Sequence, residues 1–186
     1  MSITPHDIAK MLDHSTLQPF LTLMADYEMP AQFRMDAWRS ALQRAGFMGT
    51  QTPDLNHHIS LATFPVEEEA EAIALTRRIA AEFAPVEVHV SHIGLFAGGR
   101  VLFVTPDVNP ALAALQQACS DERPLVHGHP WMPHTTMLVD APEMVFRAIP
   151  VLTEQFEPFR ARLDRLHLCA FWPAREILRV DLTGRK

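Results

Sequence analysis

Apolar positions along this chain repeat with two periods, and the periods alternate in a regular order. Phe20–Tyr27 reads as a strand. Pro30 opens a helix through Trp38 and Leu42, closed by Gly46. A polar stretch, 49–56, leads into a second strand, His57–Phe64, which Pro65 stops. Glu67, Glu68 and Glu69 suit the positive end of a helix. That helix runs to Phe83 with Ala72, Leu75, Ile79 and Phe83 on one face. Val86–Phe96 and Arg100–Thr105 read as a hairpin across the turn Ala97-Gly98-Gly99. The order then recurs. A helix over Pro110–Ala118 precedes a Pro-, Gly- and His-rich loop, Leu125–Pro133, and a strand, His134–Val139. A helix over Pro142–Phe156 follows, in which Pro150 predicts a kink. Asp164–Phe171 and Glu176–Leu182 read as paired strands, and the first 18 residues fit no more than a short helix.

Strand–helix–strand–helix–strand thus occurs twice, with a likeness of pattern and not of residue identity. The expected class is α+β and bilobal: two pseudo-repeated lobes of antiparallel-rich sheet, helices on the outer faces, and a central cleft between the opposite faces. Residues 1–186 read as one domain with lobes at about 18–96 and 97–182, whose strands can exchange between lobes. No linker is long enough for independent domains.

A chain of 186 residues with 48% apolar and 20% charged residues is long enough for a sizeable core. No apolar run reaches the roughly 20 residues of a membrane span. The N-terminus carries no apolar leader core, and two cysteines, Cys119 and Cys169, make no disulfide framework. A cytoplasmic, reduced setting is the expectation, with no membrane partner. The net charge of −6 argues against gripping long nucleic acid, which demands a basic surface. A small nucleotide or an RNA end in a local pocket remains. Lys10 and Lys186 are the only lysines. The arginines reflect either a coding bias or the use of Arg as phosphate partner.

Ten histidines among 18 Ser and Thr would give about one His-x-Ser/Thr by chance, and the chain has four, starting at His14, His58, His89 and His134. Context separates them. His58 and His134 open equivalent strands of the two half-patterns, and each motif is followed by an apolar residue, Leu61 or Met137. Residues i and i+2 of a strand share a side. His58, Ser60 and Ala62 are therefore expected on one face, and Ile59, Leu61 and Thr63 on the other. His134, Thr136 and Leu138 are likewise expected opposite Thr135, Met137 and Val139. With the apolar sets against helices, each lobe would present an imidazole and a hydroxyl to the cleft. Two imidazoles, with pKa near about 6.5, suit general base and general acid at a phosphodiester. Two hydroxyls suit its non-bridging oxygens. Which histidine plays which part is open.

The segments His58-Ile59-Ser60-Leu61 and Pro133-His134-Thr135-Thr136-Met137 resemble the two His-x-Thr/Ser-x signatures of the 2H phosphoesterases. That family includes 2′,5′-RNA-ligase-like proteins and 2′,3′-cyclic phosphodiesterases. His92–Phe96 with Arg100–Phe103 is similar to its central hairpin, and the resemblance spans roughly residues 18–182. It implies a catalytic pair in His58 and His134, phosphate-binding hydroxyls in Ser60 and Thr136, a bilobal fold with a cleft, and no metal or other cofactor. Ser60 stands where Thr is commoner, which keeps the hydroxyl.

The competing candidates read as follows. His57 falls on the helix-packing face as a partly buried histidine. His89 and His92 either line the cleft or serve structure. His127, His129, His134 and Cys119 match no common zinc spacing. Trp131 either stacks on a base or caps the core. The segment Met11–Pro19 resembles the opening of deoxyribose-phosphate aldolases. Those enzymes need a Schiff-base lysine on a longer barrel, and this chain has neither. The expected function is a metal-independent phosphodiesterase for a 2′,3′-cyclic phosphate or 2′,5′ linkage of a small nucleotide or RNA end. The alternatives are a non-catalytic nucleotide-binding module with the same groove, and a metal-dependent hydrolase. Substrate, direction (hydrolysis or ligation) and oligomeric state are not readable.

Overall fold

A computed structural model describes residues 19–52, 55–96, 98–120 and 131–185. The expectations for the first 18 residues, including the motif at His14, and for His127 and His129 lie outside the described residues. The elements are β1 (Phe20–Tyr27), α1 (Met29–Arg44), β2 (His58–Pro65), a 3₁₀ turn (Val66–Glu68), α2 (Glu69–Glu82), β3 (Val86–Leu95), β4 (Val101–Pro106), α3 (Pro110–Ser120), β5 (Thr135–Val139), α4 (Pro142–Gln155), β6 (Phe159–Phe171) and β7 (Arg175–Asp181).

Local chemistry sets the boundaries. Pro30 and Pro142 sit in the first turns of α1 and α4, where a missing N–H costs nothing. Gly98 and Gly99 take φ of 92° and 66° and turn β3 back into β4, a conformation side chains resist. Pro150 does not end α4. Pro150 and Phe146, whose carbonyl it deprives of an amide partner, both lie on the exposed face, where water can serve.

All strand pairs are antiparallel, in the order β2-β1-β6-β3-β4-β5, with β7 on β6. Strand β6 is longer than its sequence pattern suggested. Its first residues, Phe159–Leu163, pair with β3, and those from Leu163 onward pair with β1. Ala161 and Leu163 are buried there and Phe159 is partly buried, but exposed Arg160 and Arg162 alternate with them, so the apolar signal is faint. The two-lobed architecture is now explicit: β2-β1-β6 with β7 form one lobe, β5-β4-β3 the other, and the β3–β6 pair joins them. The third strand of each half lies in the sheet built by the other half.

One continuous core runs between the sheet and the helices, through Leu21, Leu23, Ile59, Leu61, Leu102, Leu112 and Leu168. Helices α1 and α4 pack on each other, α3 on β2, and α2 on β6 and β7. Trp38 of α1 keys the first contact, with ring centroids 5.2 Å from Phe156 and 5.7 Å from Phe159 and its Nε1 donating to Gln155 O at 3.1 Å. Strands β2 and β5, the ends of the strand order, come together: Thr135 Oγ1 donates to His58 O at 3.0 Å. Trp131 Nε1 donates to Ser60 O at 2.9 Å. Side chains thus cover the free carbonyls of the β2 edge. Among the described residues no helix is long and apolar enough to cross a membrane.

Candidate active site

The two motif strands share an irregularity that alternation alone does not reveal. Against β1, Leu23 pairs with Ala62 but Met24 with Ser60, so Leu61 is an extra residue. Against β4, Leu102 pairs with Leu138 but Phe103 with Thr136, so Met137 is the extra residue. Each bulge falls one step after the motif hydroxyl, and Leu61 and Met137 are both fully buried. A bulge reverses the faces beyond it. The expectation that Ala62 and Leu138 share the face of their histidines is therefore corrected. Both are buried, and Thr63 and Val139 line the cavity instead.

Both histidines are anchored in the same way. His58 Nδ1 lies 2.7 Å from Asn56 O, and His134 Nδ1 lies 3.0 Å from Met132 O, in each case the carbonyl two residues back. A carbonyl only accepts, so both Nδ1 atoms carry the proton and donate it. This fixes the ring tautomer and assigns the lone pair of each neutral ring to Nε2.

The surroundings differ. His134 is packed between aromatic rings, Phe96 at 4.7 Å edge-on and Phe103 at 5.5 Å. Gly94 faces Phe103 across the strands, and a Cβ there would run into that ring. His58 faces Asp26 across β1 and β2. Asp26 is fully buried, accepts from Asn56 Nδ2 at 2.9 Å, and lies 3.5 Å from His167 Nδ1 and 3.7 Å from Arg179 Nε. Burial alone would raise the Asp26 pKa; the hydrogen bond and charge of His167, the Asn56 amide and nearby His58 outweigh it and hold the carboxyl below its usual range. Burial also pushes the His58 pKa below its ordinary value, against the Asn56 carbonyl and the Asp26 charge.

A cavity of about 600 Å³ opens on this face. It gathers His58, Ser60 and Thr136 from the two motifs. His134 is not among its lining residues; it immediately precedes β5, two residues before Thr136, beside the cavity. Thr135, between them, bonds to the His58 carbonyl, so the two motifs adjoin. Arg39 and Arg100 supply positive charge, Asn56, Thr50 and Gln51 supply polar groups, and Phe20, Phe171 and Trp172 form an aromatic wall.

Arg39 is held by His57. That ring is 2% exposed, with Nε2 3.0 Å from Asp36 Oδ1 and Nδ1 3.2 Å from Arg39 Nη2. A guanidinium only donates, so Nδ1 accepts and the proton sits on Nε2, facing Asp36. Burial, then the Arg39 charge, push the His57 pKa down to about 4. In the unfolded chain the ring titrates near 6.5. Between these values the unfolded state binds more protons. Stability from this site is complete above the unfolded value and falls as pH drops toward 4. The expected loss is about 2–3 kcal/mol. Urea midpoints of the wild type and His57→Gln, followed across this range, should show the wild type losing stability relative to the variant as pH falls.

The remaining candidates separate cleanly. His89 and His92 are exposed and gather with Ser91 around Asp107, with Nδ1 atoms 3.2 and 3.6 Å from its carboxylate; none of these four lines the cavity. Trp131 packs against the core and donates its Nε1 proton to the Ser60 carbonyl, contacts of the structural kind. Cys119 is buried in α3, its thiol pushed up to about 12 by burial. Among the described residues no group of three or more His, Cys, Asp or Glu is placed to hold a metal ion. Sequence reasoning missed Asp26, His167 and Arg39. Asp26 offered one signal, a lone acid inside an apolar strand.

Comparison with known proteins matches this geometry to a family. The sequence pattern of the 2′-5′ RNA ligase superfamily matches residues 14–171, and the chain belongs to that family, the 2H phosphoesterases. A search of curated protein sequences found no match. Among solved structures, LigT of E. coli in its apo form is similar with a TM-score of 0.61 at 16% identity, over 90% of this chain and 99% of that one. LigT complexed with 3′-AMP gives 0.61 at 19% identity, over 89% and 99%. TT0787 of Thermus thermophilus gives 0.64 at 15% identity, over 90% and 100%. At these identities the likeness is one of fold.

Proposed function

We propose that this protein is a metal-independent phosphodiesterase acting on a 2′,3′-cyclic phosphate or a 2′,5′ linkage of a small nucleotide or RNA end. The observation that carries the reading is the matched pair of motifs. Two histidines are tied through Nδ1 to the carbonyl two residues back, each with a hydroxyl two residues on and a bulge after it, and the strands meet at one cavity. Ser60 and Thr136 donate to the non-bridging oxygens, and Arg39, aimed by neutral His57, offsets their charge.

His58 suits the part of base. Burial favours its neutral form, and the Nδ1 bond assigns the lone pair to Nε2. Water attacks phosphorus as its proton passes to His58 Nε2, the bond to the leaving ribose oxygen breaks, and protonated His134 gives that oxygen its proton. LigT of E. coli has been crystallised with 3′-AMP, a ligand of the class proposed here. The test is a screen of 2′,3′-cyclic nucleotides and short 2′,5′-linked or cyclic-phosphate-ended oligonucleotides in excess chelator, read by phosphorus NMR. Conversion to a single monoester isomer supports the reading. Tight nucleotide binding without turnover would favour a binding module, and activity abolished by chelator a metal-dependent hydrolase.

A further inference from the structure

A second cavity, of about 700 Å³, opens beside the first and shares Thr52, Leu55 and Trp172 with it. Its remaining wall comes from β6, β7 and the turn between them, with His167 and Cys169 followed by Arg175, Glu176 and Arg179. An aromatic ledge leads into it. Phe20 stacks on Phe171 with centroids 5.5 Å apart, and Trp172 meets Phe171 edge-on at 5.3 Å. Trp172 therefore faces both compartments.

The charges of this second compartment are balanced. Arg175 Nη2 lies 2.7 Å from Glu69 Oε2. Arg179 Nη2 lies 2.9 Å from Glu176 Oε2, and its Nε 3.7 Å from the Asp26 carboxylate. Each guanidinium already faces a carboxylate, so the compartment has no surplus positive charge for a second phosphate. What it offers is an aromatic ledge beside paired donors and acceptors. A flat, uncharged ring with both kinds of group along its edge fits that chemistry. Nucleobases stack on aromatic side chains and are read at their edges by hydrogen bonds. The volume is in the range of small-molecule sites.

We propose that the second cavity holds the nucleobase of the nucleotide next to the one that carries the reacting phosphodiester, stacked at Trp172 and read at its edge by Arg179 and Glu176. The inference rests on the phosphodiesterase reading and narrows its substrate. The preferred ligand is the end of an oligonucleotide, at least a dinucleotide, and not a mononucleotide.

Three substrates test it: a dinucleotide ending in a 2′,3′-cyclic phosphate, the same dinucleotide lacking the neighbouring base, and a mononucleoside 2′,3′-cyclic phosphate bearing a 5′-phosphate. The intact dinucleotide should exceed the abasic one by about tenfold or more in kcat/KM, mostly through KM. The 5′-phosphorylated mononucleotide should behave like the abasic dinucleotide. Glu176→Ala should bring the ratio of intact to abasic toward one. Equal kcat/KM for intact and abasic dinucleotides removes the base site while leaving the phosphodiesterase reading in place. A gain from the 5′-phosphate alone reassigns the cavity to an anion and overturns the proposal. No turnover of any of the three by folded protein overturns both readings.

Discussion

Replacing His58 or His134 with alanine is expected to lower kcat by about 10²–10⁴-fold in each case, with the urea midpoint little changed. Both rings are only half-buried and both anchor to main-chain carbonyls of their own loops, so their removal leaves the core intact. The two variants should then part company on an activated substrate. A nitrophenyl phosphodiester has a leaving group that departs without a proton. If His134 is the acid, His134→Ala should recover most of its activity on such an ester, while His58→Ala, lacking the base, should not. Recovery by His58→Ala instead would exchange the two assignments. Wild-type-like turnover by either variant on the nucleotide substrate would remove that histidine from the mechanism.

The hydroxyls are the second large effect. Ser60→Ala and Thr136→Val should each lower kcat by about 10²–10³-fold, the usual cost of removing one donor from a developing oxyanion. Both residues line the cavity, and valine keeps the shape and strand preference of threonine. The loss belongs in kcat more than in KM, because the donors serve charge that grows in the transition state. Thr136→Ser should retain most activity. The double variant should lose less than the product of the single losses, since the donors act on one phosphate. A Ser60→Ala enzyme impaired only in KM would make that hydroxyl a ground-state contact.

Most of the element order is legible in the sequence because most strands and helices follow their own period and have a Pro or Gly at or shortly after their ends. The motif strands are readable up to their hydroxyls. Beyond Ser60 and Thr136 simple alternation fails, because a bulge is a two-strand property. Leu61 and Met137 are extra only relative to β1 and β4, and nothing in Leu61-Ala62 or Met137-Leu138 announces it. The same limit hid β6's first residues, whose partner β3 lies far earlier in the chain. The role of His57 was missed for a different reason. Its placement on the packing side was right, but a buried ring that accepts from an arginine and donates to an aspartate becomes visible only once α1 sets Asp36 and Arg39 against it. Asp26 was hidden by its own strand, since an acid among Leu23, Met24, Ala25 and Tyr27 looks like an edge residue until Asn56 and His167 appear around it.

The trading of third strands between the halves also bears on how the chain can be divided. Cut at the glycine tip between β3 and β4, it would yield two pieces of similar length, each with a gap in its sheet shaped for a strand the other carries. Neither piece has reason to be stable alone. Mixed, they complete one another, and enzymatic turnover would report that reunion directly, which makes the hairpin tip a natural place to split this protein into a two-part sensor.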